Sequence, residues 1–83
     1  MVRVMIKDAV AARFQQLCVE RDISYTQLAR LAGVTPSTVY SMLQNERRDI
    51  SIITIKKLCD GLDINIADFF DTSLFRSIPP EIE

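Results

Sequence analysis

Apolar positions recur at helical spacing along most of the chain. Val10, Phe14, Leu17 and Cys18 share one face of a helix predicted over residues 7–21. Leu28, Ala29 and Ala32 form the inward stripe of a second helix over 25–32. Val39, Met42 and Leu43 do the same for a third over 36–44, and Ile55, Leu58 and Leu62 for a fourth over 52–61. A fifth, over 66–71, closes the series with Phe69 and Phe70. The predicted class is all-α, with a core of Phe14, Leu17, Leu28, Val39, Leu43, Ile55, Leu58 and Phe69.

Residues between the stripes carry start and stop signals. Ser24 followed by Gln27 is a capping-box pattern, in which each side chain satisfies a backbone N–H near the other. Gly33 follows the second stripe, where a left-handed backbone suits a residue without Cβ. Val34 can plug the corner that follows. Thr35 is an N-cap candidate, and Pro36 at the first helical position wastes no N–H. Ser51 is placed to cap the fourth helix and Asn65 the fifth, with Asp68 at its third position and Ile64 stapled onto Phe69. The start, residues 2–6, suits a short strand pairing with itself in a dimer, or an irregular arm or the first turn of the first helix. The domain is taken as residues 1–75, and the proline-containing stretch 76–83 as a flexible tail.

Stripes of this kind would also fit a plain corner in a helical bundle. The outward face of the third helix separates the two readings. Ser37, Tyr40, Ser41 and Gln44 share it, and residues 36–45 hold no charged side chain. A solvated helix normally mixes Glu and Lys at i and i+4. A helix that enters a groove lined by phosphates has reason to exclude carboxylates. Two short helices, a glycine corner and a small polar outward face form the layout of a DNA-binding helix-turn-helix.

The chain resembles the phage-repressor family of helix-turn-helix domains, the lambda-repressor-like and Cro-like proteins. The resemblance runs from about Phe14 to Phe70. It rests on the Leu28-Ala29 pair, the Gly33-Val34-Thr35 turn, Ser37-Thr38-Val39, the loop after Leu43, and the series Ile55, Leu58, Leu62, Ile64, Phe69 and Phe70. It implies a compact five-helix fold that binds operator DNA in transcriptional control. It also implies that residues 45–48 lie beside the sugar-phosphate backbone. Four positions depart from the family pattern. Tyr25 stands where many members carry Gln, Asn45 where Gly is frequent, Ile50 where Pro is frequent, and Pro36 where a base-reading polar side chain is usual.

Candidate contacts follow from the two lines together. Ser37, Tyr40, Ser41 and Gln44 are the candidate base readers. Serine discriminates weakly between base edges, whereas glutamine can pair bidentately with adenine. Tyr25, Thr26, Gln27, Thr35, Asn45, Arg47 and Arg48 are the candidate phosphate contacts, the two arginines offering charge-assisted and bidentate bonds. The expected partner is double-stranded DNA, bound by a homodimer because one small module meets too few base pairs for a precise address. Helix 5, Leu74, Phe75 and the N-terminal arm are the surfaces available for that dimer. The alternative is an antitoxin-like or adaptor module whose main partner is another protein. Salt separates them, since DNA binding weakens steeply as salt rises.

Composition narrows the remaining possibilities. Eighty-three residues make one domain with a modest core, and 48% hydrophobic residues argue against disorder. The net charge of −1 is unusual for a DNA binder, but it is unevenly spread. Residues 1–57 hold nine of the ten basic side chains and five acids, a net +4, while residues 58–83 carry a net −5. DNA is expected to meet the first part. No apolar run reaches the ~18 residues of a membrane span, and charges interrupt the N-terminal segment where a signal peptide would be apolar. The chain is read as cytoplasmic. Cys18 and Cys59 lie in apolar stripes and read as small buried hydrophobes. With no histidine, no Cys-x-x-Cys and no Gly-rich phosphate loop, no catalytic residue, metal ligand, cofactor or small-molecule substrate is assigned. Asp60, Asp63, Asp68 and Asp71 fit caps and a solvated face.

Overall fold

A computed structural model describes residues 5–44 and 49–82. Among these residues the chain forms six helices and no strand: α1 (Ile6–Arg21), α2 (Tyr25–Ala32), α3 (Pro36–Met42), α4 (Ile52–Gly61), α5 (Ile66–Phe70) and α6 (Ser73–Arg76). Five match the expected helices to within two residues at each end. The sixth is an addition. Thr72 takes an extended backbone (φ −141°, ψ 163°), so the chain leaves α5 and restarts as one further turn. That turn swings Phe75 back onto Phe70 and Phe69, with ring centroids 4.8 and 5.9 Å away. Phe75 is therefore part of the domain's own aromatic cluster, half-buried against the core. Beyond α6, the Glu81 carboxylate accepts a hydrogen bond from the Ile6 N–H at 3.3 Å.

Three helices end in the same way. Asp22, Gly33 and Asp63 follow α1, α2 and α4 in the left-handed region, with φ of 54°, 71° and 55°. In each case the next residue donates its N–H back into the last turn: Ile23 to Cys18, Val34 to Ala29 and Ile64 to Cys59, all at 3.0 Å. This is the Schellman arrangement, which satisfies carbonyls the helix leaves open. The plug residue is apolar each time, and each packs on the core. One local motif, used three times, turns the chain inward. Helix starts also follow the predicted signals. Ser24 Oγ accepts from the Gln27 N–H at 3.1 Å while Gln27 Oε1 accepts from the Ser24 N–H at 2.7 Å. Ser51 accepts from Ile53 N–H at 3.1 Å, and Asn65 from Ala67 N–H at 2.8 Å.

Phe14, Leu28, Val39, Leu58, Cys59 and Phe69 are fully buried, joined by Val10, Leu17, Cys18, Met42, Ile55 and Leu62. Phe14 and Phe69 meet at 4.4 Å between centroids and tie α1 to α5. Leu43 was expected in this core but is only half-buried. It is the C-cap of α3, where the helix ends and the stripe loses its register. Both cysteines are free, and burial raises their thiol pKa values, Cys59 to about 11.

Two features lay outside the hydrophobic pattern. The first is Gly61 at the end of α4. A Cβ there would stand 2.8 Å from the backbone N of Ala32 and 2.9 Å from the carbonyl carbon of Leu31. The ends of α2 and α4 therefore touch backbone to backbone. The second is a set of cations on α1. Lys7 Nζ donates to the Gln44 carbonyl just beyond α3. Arg13 Nε donates to the Phe69 carbonyl at 2.9 Å, with its guanidinium 5.8 Å from the Phe69 ring centroid. Arg21 donates to the Leu62 carbonyl at the end of α4. Each cation meets the negative end of a helix.

Two substitutions probe these constraints by urea unfolding. Gly61→Ala forces backbone apart and is expected to cost about 1–3 kcal/mol, against the usual gain from replacing a helical glycine. Leu58→Ala is expected to cost ~2–5 kcal/mol. An unchanged midpoint in Gly61→Ala would show that the two helix ends are not in contact.

Candidate nucleic-acid interface

Elements α2 and α3 meet at a corner that is built mainly from backbone geometry. Gly33 takes φ 71°, ψ 27°, yet an added Cβ would touch nothing within 4 Å. Glycine is needed there for its conformation and not for space. Ala29 is completely buried in the cluster that joins α2 to α3 and α4. Val39 and Met42 hold the inward side of α3. The opposite side faces out: Ser37, Tyr40 and Gln44 are exposed, and Ser41 is half-buried.

Thr35 sits in the N-cap position with an extended backbone, but its side chain caps no backbone N–H. Its hydroxyl instead lies 3.0 Å from those of both Ser37 and Thr38. A hydroxyl can donate once and accept twice, so this small network leaves hydrogen-bonding capacity on the outer face. Helix α3 stops at Met42, two residues short of the expected end. Gln44 is held instead by its N–H on the Ser41 carbonyl at 3.1 Å and by Lys7 on its own carbonyl. Gln44 stays exposed.

At the start of α2, Gln27 uses its Oε1 in the capping box, which leaves the amide NH2 as a donor. Thr26 is half-buried. The Tyr25 ring is half-buried and stands edge-on to Tyr40, with centroids 5.7 Å apart and planes at 83°. Burial raises the Tyr25 phenol above its usual range, and the neighbouring Cys18 and Tyr40 add to the effect. Asn45, Arg47 and Arg48, three of the expected phosphate contacts, lie outside the described residues.

The charge asymmetry looks different once donors are placed. Lys7, Arg13 and Arg21 belong to the basic part of the chain, yet each gives a donor to a backbone carbonyl of the fold, and Lys7 is buried in doing so. Lys56 pairs with Asp60 on the surface of α4. Arg30 and Lys57 remain exposed. Sequence reasoning missed these internal roles, and spacing alone could not reveal them. The one available signal was Lys7 itself, a lone cation in a largely apolar stretch.

A buried inner stripe, a glycine corner and an uncharged outer face together match a known pattern. The Cro/C1-type HTH DNA-binding domain model matches residues 13–73. The chain belongs to this family. Cro/C1-type domains bind DNA, and the chain is accordingly a DNA-binding protein of the transcription-regulator class. Its fold is similar to the crystal structure of the prophage Lp1 protein 11, with a TM-score of 0.80 and 27% sequence identity. That likeness covers 93% of this chain and 100% of the other. No curated protein matches the chain. Among the described residues, no helix is long and apolar enough to cross a membrane. Nor do three or more Cys, Asp or Glu side chains gather there as a metal site.

The raised Tyr25 phenol gives a pH test of the corner. The unfolded chain loses this proton near pH ~10, while the folded chain holds it to higher pH. Below that pH the two states bind it equally, so stability is constant. As pH rises through ~10 the unfolded state sheds its proton first, and folding stability falls. In Tyr40→Phe, Tyr25 is the sole phenol, because the chain has two tyrosines. Its ultraviolet titration should show a midpoint above the usual value in the native protein. A midpoint equal to that of the urea-unfolded variant would mean that the ring is not buried at the corner.

Proposed function

We propose that the protein is a sequence-specific transcriptional repressor of the phage or prophage type. It acts in the cytoplasm as a homodimer on operator DNA. The outer face of α3 carries this reading. Ser37, Tyr40 and Gln44 are exposed on a helix whose other side is locked into the core, and no charge lies between Pro36 and Gln44. With Ser41 they are the side chains offered to base edges in the major groove. The likeness to a prophage protein supports the phage-type assignment. A non-enzymatic role fits the same family, whose domains act by binding.

The phosphate contacts proposed are Thr26, Gln27 and Thr35 around the corner, with Asn45, Arg47 and Arg48 in the segment that follows α3. Because Lys7, Arg13 and Arg21 already serve internal carbonyls, Arg47 and Arg48 carry a large share of the salt-dependent affinity. Specificity per position is modest, since the reading set holds no Arg or Asn, and DNA shape at uncontacted steps supplies the rest. A homodimer extends the address to two half-sites about one turn apart, ~34 Å.

Selection of bound sequences from a random DNA library tests the whole reading and should return a two-fold symmetric site. Tyr40→Ala and Gln44→Ala should each weaken specific binding by ~1–3 kcal/mol and leave non-specific binding nearly intact. Arg47→Ala or Arg48→Ala should weaken binding to all sequences alike and lower the salt slope by about one unit. A single half-site with one protein per duplex would rule out the dimer. Selection of no sequence, alongside salt-insensitive binding to a protein, would favour the adaptor reading.

A further inference from the structure

Tyr40 stands on the outer face of α3 with 47% of its surface exposed. A tyrosine on an open helix face can occupy more than one rotamer. A base reader with several rotamers loses freedom on binding and discriminates less. Something must hold the ring, and the described contacts of Tyr40 point to Tyr25. Tyr25 lies in the first turn of α2 and packs against the hydrophobic core. Its ring meets that of Tyr40 edge to face at 5.7 Å and 83°. Tyr25 lines two open grooves. One, of about 400 Å³, is shared with Val19, Ile23 and Tyr40, and the other, of about 350 Å³, with Gln15 and Leu43. Tyr25 lines both grooves, and Tyr40 lines the first.

We propose that Tyr25 is a positioning residue whose core-anchored ring fixes the rotamer of Tyr40, and with it the base preference at the position Tyr40 meets. From sequence, Tyr25 was expected to contact phosphate through its hydroxyl. The two roles make opposite demands. Phosphate contact needs the hydroxyl, whereas positioning needs the ring. The specificity part of this inference rests on the DNA-binding reading of α3, while the positioning part is a property of the free protein.

Two variants separate the roles in two measurements. In the free protein, the Tyr40 ring-proton NMR shifts should move toward random-coil values in Tyr25→Leu and stay near wild type in Tyr25→Phe. In library selection, Tyr25→Leu should lose roughly 2–12-fold of the preference at one base position per half-site, the range expected for one aromatic pair. Tyr25→Phe should keep the wild-type preference and salt slope. Unchanged Tyr40 shifts in a folded Tyr25→Leu would overturn the positioning role whatever the DNA result. A Tyr25→Phe protein that binds all sequences more weakly with a shallower salt slope would return Tyr25 to the phosphate set. A wild-type protein that selects no sequence would remove the specificity role, and the ring-proton measurement would still decide the positioning.

Discussion

The approach of Gly61 to the backbone of Leu31 and Ala32 is the constraint on which the rest of this fold depends. No side chain fits between the ends of α2 and α4 there. Two backbones at that distance leave little freedom in how the helices cross. The cross-over in turn sets the direction in which α2 ends. Gly33 then turns the chain with a fixed left-handed geometry, and α3 leaves in one direction only. The contact between the ends of α2 and α4 thereby bears on the direction of α3. The two glycines of the chain divide the work. Gly33 supplies a backbone conformation in open space, and Gly61 supplies space in an ordinary helical one.

Short helices raise a second problem, which α1 solves. Each helix leaves its last four carbonyls without intrahelical partners. In α3 and α5, of seven and five residues, that is most of the helix. Helix α1 runs for 16 residues and brings Lys7, Arg13 and Arg21 to the ends of α3, α5 and α4 in turn. Each cation satisfies a carbonyl and opposes the negative end of a dipole. Lys7 is almost wholly buried in doing so. A buried ammonium needs such a partner, because leaving it unpaired is far more costly than the bond is favourable. The long helix is therefore more than a hydrophobic wall for the core. Through Lys7 it also holds the chain at the end of α3.

Local signals in the sequence were read correctly where one residue decides one feature. The Ser24–Gln27 box, the Gly33 turn and the Ser51 and Asn65 caps all rest on contacts within a few residues. The misses share a different cause. Leu43 continues the periodic stripe, but the helix ends beneath it, so periodicity outran the backbone that carries it. The sixth helix is a single turn nucleated by an extended Thr72 and retained because Phe75 reaches Phe70, a tertiary reward that propensity does not register. The same holds for the candidate interface. Which side chains of α3 point outward was legible from spacing. That Tyr25 would stand edge-on to Tyr40, and that Lys7 would bind the Gln44 carbonyl, depends on how the helices are docked.

The placement of the α1 cations also bears on how a protein of net charge −1 would distinguish DNA sequences on the proposed reading. Non-specific binding is almost entirely electrostatic and grows with the number of phosphates neutralised. Here three cations of the basic half each give a donor to a carbonyl of the fold, and a fourth is paired with Asp60. On the proposed reading, each donor used inside the fold is one fewer for sequence-independent contact with phosphate. A genome offers ~10⁶–10⁹ competing sites, and the useful quantity is the ratio of specific to non-specific binding. That ratio can be improved from its denominator. On the proposed reading, the uncharged face of α3 contributes modest discrimination, and the internal use of basic side chains keeps the background against which it works correspondingly small.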